Sequence, residues 1–186
     1  MYSALDELLL TWATGGQPRG PTYWPPIVAR RKELLERLAE WTPPPAVGAV
    51  PEAIMDPALI MLWGVTTQRV HAWAQETEAG SELTGTPASP GVVEGVARVV
   101  RTVSEIGDVR EGEILVCSIT SPAWAPIFSK IRAAVTDIGG VMSHAAIVCR
   151  EYALPAVVGT GRATSQISTG QRIRVDGSAG TVTLLE

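Results

Sequence analysis

The run Gly139-Gly140-Val141-Met142-Ser143-His144-Ala145-Ala146-Ile147-Val148 constrains this chain most tightly. A glycine pair follows the apolar stretch 133–137, and Ser143, a favoured helix N-cap type, precedes an apolar helical sequence. The pattern predicts a strand, a tight turn and a helix, with one histidine at the helix start. A helix start offers backbone N–H groups without intrahelical partners and a partial positive charge, which suits an anion such as a phosphoryl group. Imidazole is a competent nucleophile near neutral pH, because its unperturbed pKa of about 6.5 leaves much of it neutral. Nucleophile and anion cradle at one point suggest a transiently phosphorylated histidine, so His144 is the candidate catalytic residue.

Its neighbours supply the candidate supporting set. Ser143 is read as the helix cap, with its hydroxyl also within reach of phosphoryl oxygens. Gly139 and Gly140 allow close backbone approach and positive φ, which a plain strand-to-helix turn also needs. Thr136 and Asp137 end the strand feeding the turn; a carboxylate there would orient the ring, although a turn-forming Asp is the commoner case. Arg150, six positions on, is turned off the histidine's face and is not read as catalytic. His71 matches no nucleophile or metal pattern and is read as structural or interfacial. No metal ligand set is expected.

The chain's two halves differ. Residues 1–79 hold five of the six tryptophans and read as helices punctuated by proline. One covers 2–13. A second opens at Pro25-Pro26, carries Ile27, Leu34, Leu35 and Leu38 at helical spacing, and stops at Pro43-Pro44-Pro45. A third runs from Pro57 to about Thr77. Short helices are marginal alone, so this half is expected to dock on something else, as a docking or connector segment. Residues 80–90, rich in Gly, Ser, Thr and Pro, read as a linker.

Residues 91–186 read as mixed α/β. Strands are expected over 92–100, 113–118, 133–137, 156–158, 172–176 and 181–185, with helices over 124–130 and 143–152. A β/β/α sandwich fits that count. The net charge of −4 argues against nonspecific nucleic-acid binding, and no apolar run reaches membrane-span length. Two cysteines are too few for a disulfide framework or zinc cluster, so a cytoplasmic location with reduced thiols is expected.

The segment from Thr136 to Glu151, followed by Leu154-Pro155-Ala156-Val157-Val158-Gly159, resembles the phosphohistidine swivelling domain of the PEP-utilising enzymes. That family includes phosphoenolpyruvate synthase, pyruvate phosphate dikinase, rifampicin phosphotransferase and phenylphosphate synthase. The stretch from Gly85 to Gly95 resembles the domain's opening, and Val175-Asp176-Gly177 with Gly180-Thr181-Val182 its close. Residues 30–45 more loosely resemble the helical connector of rifampicin phosphotransferase-like proteins. Met142 stands where many relatives carry threonine, and Cys149 where they usually carry alanine; the latter is read as a small buried hydrophobe.

The resemblance implies a compact β/β/α swivelling domain at 91–186 and a phosphoryl group carried on His144. It also implies ATP and Mg²⁺ on a partner ATP-grasp subunit, with no cofactor held tightly here. Neither an ATP-grasp pattern nor a PEP-binding barrel fits within 186 residues, so a split enzyme is expected. The preferred reaction converts ATP, a phenol- or cresol-type alcohol and water to an aryl phosphate, AMP and phosphate. The alternatives are a carrier for a pyruvate/PEP dikinase-like enzyme with a separate barrel subunit, and a non-catalytic regulatory module of the same fold. Neither nucleic acid nor membrane is an expected partner.

Overall fold

Ile114-Leu115-Val116-Cys117 and Ala133-Ala134-Val135-Thr136 are apolar from end to end, which fits strands covered on both faces. In a computed structural model, which describes residues 23–39, 49, 51–75 and 81–185, they are the central parallel strands β4 (Ile114–Cys117) and β5 (Ala133–Thr136). The chain divides into two units, 1–44 and 45–186. The first contributes helix α1 (Trp24–Ala39), which leaves Leu34, Leu35 and Leu38 about half exposed. The expected helix over 2–13 lies outside the described residues.

The second unit holds everything else. Helices α2 (Pro57–Met61) and α3 (Thr67–Gln75) come first. Strands β1 (Glu82–Thr84), β2 (Thr86–Ser89) and β3 (Val92–Val100) precede β4 and β5. After them come α4 (His144–Glu151), β6 (Ala156–Val158), the short α5 (Ala163–Gln166), β7 (Arg172–Asp176) and β8 (Thr181–Leu184). Among the described residues eight strands form one sheet in the order β1-β8-β7-β3-β4-β5-β6-β2. β3 to β6 run parallel, and the flanking pairs are antiparallel.

β1 and β2 lie at opposite ends of that order yet are joined by Gly85 alone. The sheet therefore curls until its two edges meet, and the Gly85 N–H donates to the Gly180 carbonyl at 2.7 Å. Alternation along β4 and β5 then builds two cores. Ile114, Val116, Ala133 and Val135 face the inside of the curl against Ile173, Val175 and Val182. Leu115, Cys117 and Ala134 face outward, covered by Trp124, Ile127, Phe128, Ala145, Ala146 and Cys149. The result is the expected β/β/α layering.

Four expectations are corrected. The linker at 80–90 contains β1 and β2, whose Leu83, Ala88 and Ser89 are buried. The unit containing the sheet begins at 45, so α2 and α3 belong with it, and the boundary is not near 79. The helix expected from Pro57 to Thr77 is two helices, broken at Gly64, whose φ of +71° leaves the right-handed region. The helix expected over 124–130 is a 3₁₀ segment, Pro122–Ile127, with Pro126 inside it removing an N–H donor.

Candidate functional site

Strand β5 ends at Thr136, and the chain turns through 137–142 before α4 begins at His144. Ser143 is the N-cap: its Oγ accepts from the Ala146 N–H at 3.4 Å. His144 and Ala145, the first two helical positions, have N–H groups with no acceptor among the described residues. These are the orphan donors that the helix-start argument requires. The ring of His144 is half-buried and backed by Phe128, edge to face, with centroids 6.0 Å apart.

Thr120 Oγ1 lies 3.1 Å from His144 Nδ1. Nε2 has no partner among the described residues, so it is the nitrogen available for chemistry. Burial lowers the imidazole pKa from its ordinary value, which favours the neutral, nucleophilic ring. Sequence reasoning missed Thr120: it lies 24 residues before the histidine, in the loop after β4, and no local motif marks it.

The supporting residues divide. Ser143 lies beside the ring at the head of α4. Gly139 and Gly140 do not offer open amides. The Gly139, Gly140 and Met142 N–H groups donate to the carbonyls of Trp63, Leu62 and Met61 at 3.1, 3.0 and 2.9 Å. Residues 61–64, the last residue of α2 and the start of the connection to α3, therefore form a strap antiparallel to the turn. A Cβ on Gly140 would lie 2.3 Å from the Met61 carbonyl oxygen, and one on Gly64 would lie 2.1 Å from the Gly139 carbonyl oxygen. The glycines thus serve close backbone packing of the strap rather than a phosphate cradle. Arg69 on α3 adds a tie, donating to the carbonyl of Gly159.

Asp137 does not orient the ring. Its carboxylate accepts from Thr164 Oγ1 at 2.5 Å and from the Thr164 N–H at 3.0 Å, pinning the turn to α5. Burial raises its pKa, and the Thr164 bonds oppose that shift. Thr136 Oγ1 donates to the Ile138 carbonyl at 3.0 Å, so it shapes the turn as well. Arg150 points away from the histidine, donating to the carbonyls of Ala88 and Val141 at 3.0 and 2.8 Å. Cys149 is wholly buried, and His71 is exposed on α3.

A cavity of about 200 Å³ opens beside the ring, lined by Leu62, Trp63, Ile119, Thr120, Ile138, Met142, Ser143, His144 and Ala145. No charged side chain lines it.

Residues 109–180 match the family described as PEP-utilising enzyme, mobile domain. This region is similar to that mobile domain. The matched span includes β4, β5, the turn, α4 and the 3₁₀ segment that backs the histidine. The chain is 37% identical over 159 residues to rifampicin phosphotransferase of Streptomyces sviceus, covering 86% of this chain and 16% of that protein. It is 44% identical over 126 residues to phosphoenolpyruvate synthase of Aeropyrum pernix, covering 65% of this chain and 15% of that protein. The chain thus spans less than a fifth of the length of these relatives. A 159-residue match within 186 residues reaches back across α2, the strap and α3. Among solved structures, Enzyme I is similar over 42% of this chain and 33% of its own, at 33% identity and a TM-score of 0.39. No helix among the described residues is long and apolar enough to cross a membrane.

Proposed function

We propose that the mobile domain carries a phosphoryl group on Nε2 of His144, taking it from ATP bound by an ATP-grasp unit and passing it to a small-molecule acceptor. The observation that carries this reading is the state of the ring. Nδ1 is engaged by Thr120, Nε2 is open, and two unpaired helix N–H groups stand beside it. In the first step Nε2 attacks the β phosphorus of ATP, and AMP leaves with the bonding pair. Water then attacks the γ phosphorus, the β–γ bond breaks and phosphate leaves, so that one phosphoryl group stays on Nε2. In the last step the acceptor oxygen attacks that phosphorus, the Nε2–P bond breaks, and the acceptor's proton passes to Nε2. Separate, easier displacements replace one difficult transfer.

ATP with Mg²⁺ belongs to the nucleotide-binding unit, which is a partner subunit in this reading. The exposed leucines of α1 support a docking role for the first unit. The acceptor is a phenol- or cresol-type alcohol, yielding an aryl phosphate, AMP and phosphate. The uncharged, apolar lining of the cavity favours it over pyruvate, whose carboxylate would lose hydration without a compensating cation.

The test mixes the full chain with the nucleotide-binding unit and ATP labelled in its β phosphoryl group. Acid-labile, base-stable label on wild type and none on His144→Ala is the expected result. Equal labelling of the variant removes His144 from the reaction.

A further inference from the structure

We infer that residues 61–64 are a detachable latch: the strap grips the histidine turn at rest and must let go before His144 takes phosphoryl from ATP. The inference rests on the carrier reading of His144 and adds what holds the ring back. The make-up of the contact is the first argument. The strap's carbonyls accept from the Gly139, Gly140 and Met142 N–H groups at 3.1, 3.0 and 2.9 Å, and α3 adds the Arg69 guanidinium on the Gly159 carbonyl. Little apolar surface stands behind these bonds. No residue of α2 is buried, and among the described side chains of 51–72 Val70 is the one buried hydrophobe.

Connectivity is the second argument. Segments with few buried apolar contacts open at a fraction of the global stability. The sheet is the opposite case, since every residue of β4 and β5 is buried. The strap therefore leaves while the sheet stays folded. β1 follows α3 across residues 76–81, which reach about 20 Å when fully extended. Latched, the sheet is held to α2 and α3 at the turn as well as through that connection. Unlatched, it is held through the connection alone, and His144 can travel by that reach.

Position is the third. Leu62 and Trp63 line the same cleft as His144 and stand half-exposed beside the ring. Attack by Nε2 needs the β phosphorus within about 3–3.5 Å. ATP seated on its own unit brings that unit's protein walls to the head of α4 with it. In the latched form the strap already occupies that flank. Uptake then proceeds from the unlatched fraction of molecules, and its apparent rate scales with that fraction.

The test reads native-state hydrogen exchange and label uptake on the full chain in parallel. In wild type the amides of Gly139, Gly140 and Met142 are expected to exchange together, about a hundredfold or more faster than those of β4 and β5. Arg69→Ala is expected to speed exchange at the three amides about tenfold and to leave β4 and β5 unchanged. Uptake from β-labelled ATP on the nucleotide-binding unit should rise by the same factor, because both readouts follow the unlatched fraction. Arg69→Lys keeps a donor and should do less in both. Should Arg69→Ala fail to fold, Gly64→Ala presses the strap off the Gly139 carbonyl from its own side and is expected to act in the same direction. Three amides that exchange only with the sheet would overturn the inference. So would uptake that is unchanged or slower in a variant whose three amides exchange faster. No label on wild type sinks the carrier reading and the latch's role with it, whereas a labelled wild type without acceleration in the variants sinks the latch alone.

Discussion

Replacing Gly140 by alanine separates the strap's role from that of the helix start. The new Cβ would lie 2.3 Å from the Met61 carbonyl oxygen and 2.6 Å from that of Ile60. Both are backbone atoms, so neither can swing aside. Ordinary contact begins near 3.4 Å, so the strap must retreat by 1.1 Å, the difference between 3.4 and 2.3. That displacement stretches the three N–H···O bonds from Gly139, Gly140 and Met142, now 2.9 to 3.1 Å, past bonding range. At ~1 kcal/mol net per bond the loss is about 3 kcal/mol. For a unit of this size that is a fall in Tm of roughly 10 °C. Amide hydrogen exchange at 139, 140 and 142 is expected to accelerate together, by about a hundredfold. Gly107→Ala is the control, because nothing lies within 4 Å of its Cβ position, and it should leave both readouts unchanged. Full retention of protection at the three amides in Gly140→Ala would refute the claim that the strap holds the turn.

Thr120→Val removes the Nδ1 partner and is expected to slow phosphoryl uptake by His144 about a hundredfold. It should also change the tautomer reported by imidazole ¹⁵N shifts, and Thr120→Ser should restore both. Arg98 grips Glu113 with two bonds of 2.9 and 2.7 Å and, against the cost of burial, holds its carboxyl below the ordinary range. That stabilisation is present above the ordinary carboxylate pKa and is lost as pH falls through and below it. Glu113→Gln should cost about 2 kcal/mol at pH 7 and flatten stability against pH on the acid side, read by urea unfolding. Burial pushes the Cys149 thiol up to about 12 and raises Cys117 further, so a disulfide reagent at pH 8 should find no thiol in the native chain and two after denaturation.

The local parts of the site were legible in the sequence. Ser143 before His144 marks the cap, and β5, β6, β7 and β8 fall where apolar alternation and glycine turns place them. What was hidden is long-range backbone pairing, which leaves no side-chain signature. The strap bonds its carbonyls to amides some 80 positions on, and only Gly64 and Gly140 hint at it, since any tight turn would need them. β1 and β2 were obscured by composition. Pro87 and Gly85 read as linker residues, yet Pro87 is tolerated because β2 is an edge strand paired on one side. For Asp137 the sequence leaves two roles open, orienting the ring and forming the turn, the second being the commoner. The fold instead offers its carboxylate two donors on Thr164, a residue 27 positions away that local reading does not weigh.

The most direct measurement is the position of phosphorus on the ring. The full chain, labelled with ¹⁵N histidine and phosphorylated by ATP and its nucleotide-binding partner, is read by ¹⁵N–³¹P coupling. With Nδ1 held by Thr120, the expected coupling is to Nε2 of His144 alone. Coupling to Nδ1, or to the ring of His71, would contradict the assignment.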